Sequence, residues 1–176
     1  MHIVQLAYYV PDAKIAAQHW SSVHGAGPFF VSENIPLAQV HYQGELSSLD
    51  HTSAYGWCGN LMIELVQQNC DTTSVFSDRP YGLHHCVYFC SSLETETSRL
   101  TANGYRLAMH AATSSGIEFA FLEVADTDST SATAPAPLTG HYFEIYQDHP
   151  QLRSFYKTVE QAAQSWDGKE PLRIMG

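Results

Sequence analysis

Basic residues are scarce in this chain. Lysine and arginine together number 8 against 18 aspartates and glutamates, a formal net charge of −10. Such a chain repels a phosphate backbone or an anionic lipid surface, which argues against nucleic-acid and membrane partners. Also missing is any apolar run approaching the roughly 20 residues that a membrane-spanning helix needs. Met1 leads within two residues into a strand-like run and not into a basic, apolar leader, so the expectation is a cytoplasmic protein. No CxxC spacing occurs among Cys58, Cys70, Cys86 and Cys90, and these read as buried free thiols. What is present is apolar: hydrophobic residues fill 44% of 176 positions. That is enough for one substantial domain, or for two small modules sharing a core.

Residues 3–10 form a run that is apolar on both faces, as in a strand buried on two sides, with Gln5 its one polar interior candidate. Pro11 and Asp12 stop it, and Asp12 can cap a helix carrying Ala16, Trp20 and Val23 at helical spacing, ended by Gly25. The second half repeats the pattern. Residues 83–89 read as a strand, Ser91 with Glu94 as a capping box, Leu93, Thr97 and Leu100 as a helix, and Gly104 as its terminator. Further strands are expected at 29–34, 51–57 and 61–66, and at 105–110, 117–124 and 141–146. The stretch 37–48 reads as a loop, or as a loop with an added strand, and 125–140, rich in Ser, Thr, Ala and Pro, as a loop. Leu152, Phe155, Val159, Ala162 and Trp166 keep a helical stripe, so a docked amphipathic helix is expected near the end, with a loosely held tail after Gly168.

Gln5 and His85 are 80 positions apart, and so are Glu64 and Glu144; Gly25 and Gly104 are 79 apart. One translation therefore relates four metal-ligand-type side chains and two helix ends, as an internal duplication predicts. The modules would span 1–70 and 71–148, with 149–176 as a helix and tail. Duplication would bring all four polar side chains to one centre. Two carboxylates, one imidazole and one amide oxygen make a mostly hard donor set, suited to Zn²⁺, Ni²⁺, Co²⁺, Mn²⁺ or Mg²⁺. The bland alternative is a metal-free, hydrogen-bonded polar cluster, in which two adjacent carboxylates would repel and one would take a proton. Alternation turns His84 away from His85, toward the helix layer or the strand's edge, as a structural histidine.

A βαβββ unit used twice, with candidates on the first and last strands of each copy, resembles the glyoxalase, bleomycin-resistance and dioxygenase superfamily, also described as the vicinal oxygen chelate class. The resemblance is carried by Gln5 in IVQLAYYVPD, Glu64 in LMIELVQQ, His85 in GLHHCVYFC, Glu144 in GHYFEIYQ and the turn GAGPFF. It implies an α+β fold in which two modules form a curled, cup-shaped mixed sheet. It also implies that Gln5, Glu64, His85 and Glu144 hold a divalent ion, which polarises carbonyl oxygens so that a carboxylate, Glu144 first and Glu64 next, removes a neighbouring proton. The resulting enediolate leads to lyase or isomerase chemistry on a small carbonyl compound or thioester.

Within that family the order Gln, Glu, His, Glu is similar to glutathione-using glyoxalase I. The arginines that grip glutathione there are replaced here by Tyr9 and Tyr81, and an asparagine by Gln68. Methylmalonyl-CoA epimerase is a second relative, whose first ligand is a His and second a Gln; Arg99 and Arg106 are the candidate anchors for a CoA. Dioxygenase members use two histidines and one carboxylate, which Gln5 argues against. Resistance-type members bind a small molecule without turning it over. Aromatic residues near the expected cup include Phe29 and Phe119, and the substrate pocket is expected to be lined by Tyr9, Phe30, Tyr55, Trp57, Phe121 and Tyr142. The loop 125–140, before His141, is expected to act as a lid. Superfamily members pair through their sheets, so a homodimer is one expected assembly and a cup closed within one chain the other.

Overall fold

A computed structural model describes residues 1–77, 79–124 and 141–175; the loop read as a lid, 125–140, lies outside these. Strand β1 (Gln5–Tyr9) leads into helix α1 (Ala13–His24). Asp12, in extended conformation, accepts from the Ile15 N–H at 2.8 Å, and Gly25 at φ 64° ends the helix with its N–H on the Ser21 carbonyl. There follow β2 (Phe29–Ser32), β3 (Leu37–Tyr42), β4 (Glu45–Leu46), β5 (His51–Cys58) and β6 (Leu61–Gln68). The second half supplies β7 (Gly82–Cys90), α2 (Leu93–Thr101), β8 (Tyr105–Thr113), β9 (Glu118–Val124) and β10 (Tyr142–Gln147). Helix α3 (Pro150–Gln164) and β11 (Leu172–Ile174) complete the described chain.

Several expectations are corrected in detail. β2 stops at Ser32 because Asn34 takes a left-handed φ of 48°. The cap of α2 is Ser92 and not Ser91: its hydroxyl accepts from the Thr95 N–H at 3.2 Å, which lets Leu93 start the helix buried against the sheet. Only Cys86 of the four thiols is fully buried. The tail is not loose either. The outer edge of β2 offers unpaired backbone groups, and 171–175 take them: Phe29 N–H donates to the Pro171 carbonyl at 2.7 Å and Met175 N–H to the Val31 carbonyl at 2.8 Å.

All eleven strands form one mixed sheet in the order β11-β2-β5-β6-β1-β7-β10-β9-β8-β3-β4. Its centre is nearly two-fold: β1 pairs parallel with β6, β7 parallel with β10, and β1 antiparallel with β7. β3 departs from the symmetry. It follows β2 after four residues, yet pairs with β8 near the opposite edge, Leu37 against Thr113. Five residue steps reach at most about 18 Å, so the sheet must curl until its two sides nearly meet. A strand of the first half thus closes the second half's side of the cup.

The convex face is covered by the first two helices. Under α1 lie Leu6, Tyr8, Phe29, Ala54, Ile63 and Leu65; under α2 lie Tyr88, Leu122 and Ile145. Phe29 therefore belongs to the outer layer and not to the cup, and its ring leaves no room for a Cβ at Gly56, which would fall 2.6 Å from it. On the concave face, one end is filled by Val66, Phe76, Met109, Phe119 and Phe121. The other end is filled by α3, whose Phe155, Tyr156 and Val159 pack on Met62, Phe30, Tyr55, Trp57 and Phe89. Between the two apolar ends lies a polar belt.

Candidate functional site

The belt is made by the four central strands, β6-β1-β7-β10. Alternation sends Leu6 and Tyr8 under α1, so Gln5 and Ala7 face the cup. Ala7 is the cross-strand partner of both Glu64 and His85, and its single methyl keeps open the space between them. Glu144 on β10 lies opposite Val87, one inward position beyond His85. The four residues related by the 80-position offset are thus gathered: Gln5, Glu64, His85 and Glu144 are all buried, between 2 and 6% exposed.

His85 Nε2 lies 3.4 Å from Glu64 Oε2 and 3.2 Å from Glu144 Oε2, yet it is buried without an aligned hydrogen bond. Gln5 Nε2 donates to Glu64 Oε2 at 2.6 Å, and Gln5 Oε1 accepts from the Tyr156 hydroxyl at 2.5 Å. The amide nitrogen, and not the oxygen, is therefore turned toward the belt. Donor atoms of Glu64, His85 and Glu144 all lie within 4.8 Å of one another.

His84 is not turned to the helix layer. The β1–β7 register shifts after Ala7, which pairs with His85 while Tyr8 pairs with Leu83, so His84 is the extra residue of a bulge. Its ring stacks on Phe76 at 4.4 Å and its Nδ1 lies 2.9 Å from His85 Nδ1. Its Nε2 is 2.9 Å from the Val75 carbonyl, which can only accept, so Nε2 carries the proton. Burial pushes the His84 pKa down to about 3, which keeps the ring neutral and leaves Nδ1 an acceptor. His85 Nδ1 must then donate, and a neutral His85 is left with a bare Nε2 lone pair facing two carboxylates. Only a proton or a cation reconciles three such groups in a buried belt.

In the metal-free protein the proton wins. Burial alone would neutralise His85, but the charges and hydrogen-bonding reach of Glu144 and Glu64 outweigh it and raise its pKa to about 9. The two carboxylates are driven apart. Burial raises Glu64, but hydrogen bonding and charge from His85 outweigh it, so its pKa falls below the ordinary value. At Glu144 burial, helped by the charge of Glu64, prevails over His85 and the pKa rises.

Above the belt is a chamber of about 70 Å³ lined by Glu64, His85 and Glu144 together with His51, Tyr55, Phe121 and Tyr146. A second chamber of about 200 Å³ shares Ile35, Tyr55, Thr113 and Tyr146 with it and is walled by Gln5 and by Leu152, Phe155 and Tyr156 of α3. Of the expected pocket residues, Tyr55 and Phe121 line these chambers. Phe30 and Trp57 face inward but are covered by α3. Tyr142 is buried with its hydroxyl held by Arg79 Nη2 at 2.6 Å, and Tyr9 packs on Tyr81 at 4.8 Å, at the rim. Gln68 ties down the following loop, donating to the carbonyls of Cys70 and Thr72 at 2.5 and 2.6 Å. Arg99 and Arg106 are paired with Glu96 and Glu123 at 2.6 and 2.8 Å and line neither chamber.

Ala7, His51, Tyr146 and Tyr156 were not anticipated, and His84 was expected to face away from His85. Tyr146 was the readable one, two residues beyond Glu144 and so on the same face. His51 places a buried Nδ1 without a hydrogen-bond partner in the first chamber.

The sequence profile of the Glyoxalase/Bleomycin resistance protein/Dioxygenase superfamily matches residues 4–121, and the chain belongs to that superfamily. No curated protein sequence matches it. Among solved structures, it is similar to methylmalonyl-CoA epimerase from Mycobacterium tuberculosis, at 16% identity over 86% of this chain and 91% of that one, TM-score 0.52. A hypothetical protein from Bacillus halodurans aligns at 16% identity over 84% and 94%, TM-score 0.53. A Streptomyces coelicolor methylmalonyl-CoA epimerase variant in complex with 2-nitronate-propionyl-CoA aligns at 11% identity over 85% and 96%, TM-score 0.51. Identities this low establish the α+β fold with its curled sheet.

The belt fits a divalent cation. Two carboxylates and a histidine form the donor set, and the unpaired His85 Nε2 is the tautomer that binds metal. Bonds of roughly 2.0–2.2 Å hold donors up to about 4 Å apart. The present spread of 4.8 Å needs side-chain adjustments of under about 1 Å.

Proposed function

We propose that this protein is a metal-dependent enzyme of lyase or isomerase type that removes a proton beside the carbonyl of a small, uncharged substrate. The observation that carries the reading is the buried, unpartnered His85 Nε2, fixed by the chain from the Val75 carbonyl through His84 and facing Glu64 and Glu144. Glu64, His85 and Glu144 would hold the ion, and a divalent cation bound there would supply Lewis-acid polarisation of the substrate carbonyl. Glu64 is anchored by Gln5 and held ionised, which suits a fixed ligand. Glu144, its pKa raised, is the better proton acceptor and acts as the base. Tyr55 and Tyr146, kept neutral by burial, offer hydroxyl donors to the substrate, and His51 offers its unpartnered Nδ1. Apolar walls exclude water from the site.

The substrate class follows from the lining. Among the described residues neither chamber has a lysine or arginine on its wall, so nothing there would pair with a glutathione carboxylate or a CoA phosphate. The CoA-thioester epimerase reading, favoured by the fold relatives, requires the nucleotide to be held outside both chambers. A non-catalytic binding protein is the other rival, and a buried base beside a metal-type site counts against it.

The test is exchange of substrate C–H protons for solvent deuterium, followed by NMR, across 2-oxoaldehydes, their hemithioadducts and acyl-CoA epimers. Exchange with a neutral carbonyl compound, abolished by EDTA and restored by Zn²⁺, Ni²⁺, Co²⁺, Mn²⁺ or Mg²⁺, is expected. Metal-independent exchange would overturn the reading.

A further inference from the structure

We infer that Gln5 is a positioning residue and not a metal ligand, and that Tyr156 of the C-terminal helix, by clamping its amide, orients Glu64 for the ion. The inference rests on the metal reading above. A side-chain amide binds a hard cation through its oxygen, because its nitrogen has no lone pair to give. In this chain that oxygen is taken: Gln5 Oε1 accepts from the Tyr156 hydroxyl, and Nε2 donates to Glu64 Oε2. In the metal-free protein, turning the amide over would set its oxygen 2.6 Å from a carboxylate oxygen with no cation between them, and would ask Tyr156 to accept while its own proton lost its partner.

Tyr156 is itself immobilised. Its ring meets Phe89 at 5.1 Å and 70°, and it packs beside Val159 and Met62 in the apolar layer between α3 and the sheet. Met62 is in turn the cross-strand partner of Gln5. A residue 151 positions away, on a helix outside both strand-helix units, thus fixes which atom β1 presents to the belt. Once Gln5 withdraws, three protein ligands remain, leaving open coordination positions toward the chamber for substrate oxygens. The same helix walls the second chamber, so α3 both shapes the substrate space and steadies one ligand.

Zn²⁺ affinity, measured by competition with a chromophoric chelator on the full chain, tests this without reference to turnover. Tyr156→Phe removes only the hydroxyl and is expected to weaken binding about 10-fold; Gln5→Met, of similar volume, about 10- to 100-fold, with one ion still bound. The double variant should be no weaker than Gln5→Met alone, since both changes break one chain of contacts. The visible spectrum of the Co²⁺ protein should keep its band positions in Gln5→Met, because the ligand set is unchanged. Unaltered affinity in Tyr156→Phe, additive losses in the double variant, or a Co²⁺ spectrum that changes with Gln5→Met would each overturn the inference. Melting in EDTA separates a folding defect from a binding defect. Stoichiometric Zn²⁺ binding by wild type that persists in Glu64→Gln would instead sink the underlying metal reading.

Discussion

The two halves of the sheet place side chains at equivalent positions and then treat them differently. Gln5 and His85 stand on corresponding strands, β1 and β7, but the first is turned away by a hydroxyl from α3, whereas the second is held by a neighbouring imidazole. Glu64 and Glu144 stand on corresponding strands, β6 and β10, yet one is pinned and acidic while the other has its pKa raised. Register fixed where the four groups stand. Their neighbours decide what each does, and those neighbours are not duplicated: a bulge at His84, a turn at Val75 and a helix at Tyr156.

The largest effect expected from breaking this asymmetry is at Glu144. Glu144→Gln should lower the exchange rate by about 10²- to 10⁴-fold, the range for losing a general base, while the far-UV spectrum stays native. The reverse change, Glu64→Gln, should act mainly on metal affinity; equal kinetic losses with undisturbed affinity would erase the distinction between the two carboxylates. Next comes His84→Ala, which frees His85 to turn and should weaken Zn²⁺ binding about 10- to 100-fold. An unchanged affinity would show that the imidazole pair is ornamental to the site.

Filling the space between Glu64 and His85 is expected to matter less to the fold than to the site. Ala7→Val adds two methyl groups at a position with no exposure, for about 1–3 kcal/mol of overpacking in a urea titration. Zn²⁺ binding should suffer more than that, since the methyls intrude on the ion's place. The last effect is on pH. The His85 pKa is raised from 6.5 to about 9 in the folded, metal-free protein. Its stabilisation is therefore complete below 6.5 and is lost as pH climbs through 9. Urea midpoints of the EDTA-treated protein should fall between pH 6.5 and 9.5, and His85→Gln should flatten that slope.

Much of the scaffold could be read from residue patterns. The Asp12 cap, the Gly25 terminator, the paired strands and the α3 stripe all follow from local chemistry, because caps and periodicity need only neighbours in sequence. The four residues 80 positions apart in pairs come to one belt because equivalent positions on the central strands face inward. What stayed hidden is long-range. Nothing near 37–42 says that β3 crosses to β8, and nothing near 172–174 says that β2 has an edge to fill. The bulge that brings His84 beside His85 needs a two-strand register to be visible. Four of the six anticipated pocket residues line neither chamber, two of them, Phe30 and Trp57, because α3 occupies the end of the cup where they point.

The sharpest single check is calorimetric titration of EDTA-stripped protein with Zn²⁺ at pH 7.5 in two buffers of different ionisation enthalpy. Glu64, His85 and Glu144 gathered around a cation predict one ion per chain and release of about one proton, that of His85, on binding. Absence of stoichiometric binding, or binding with no proton released, would contradict the account.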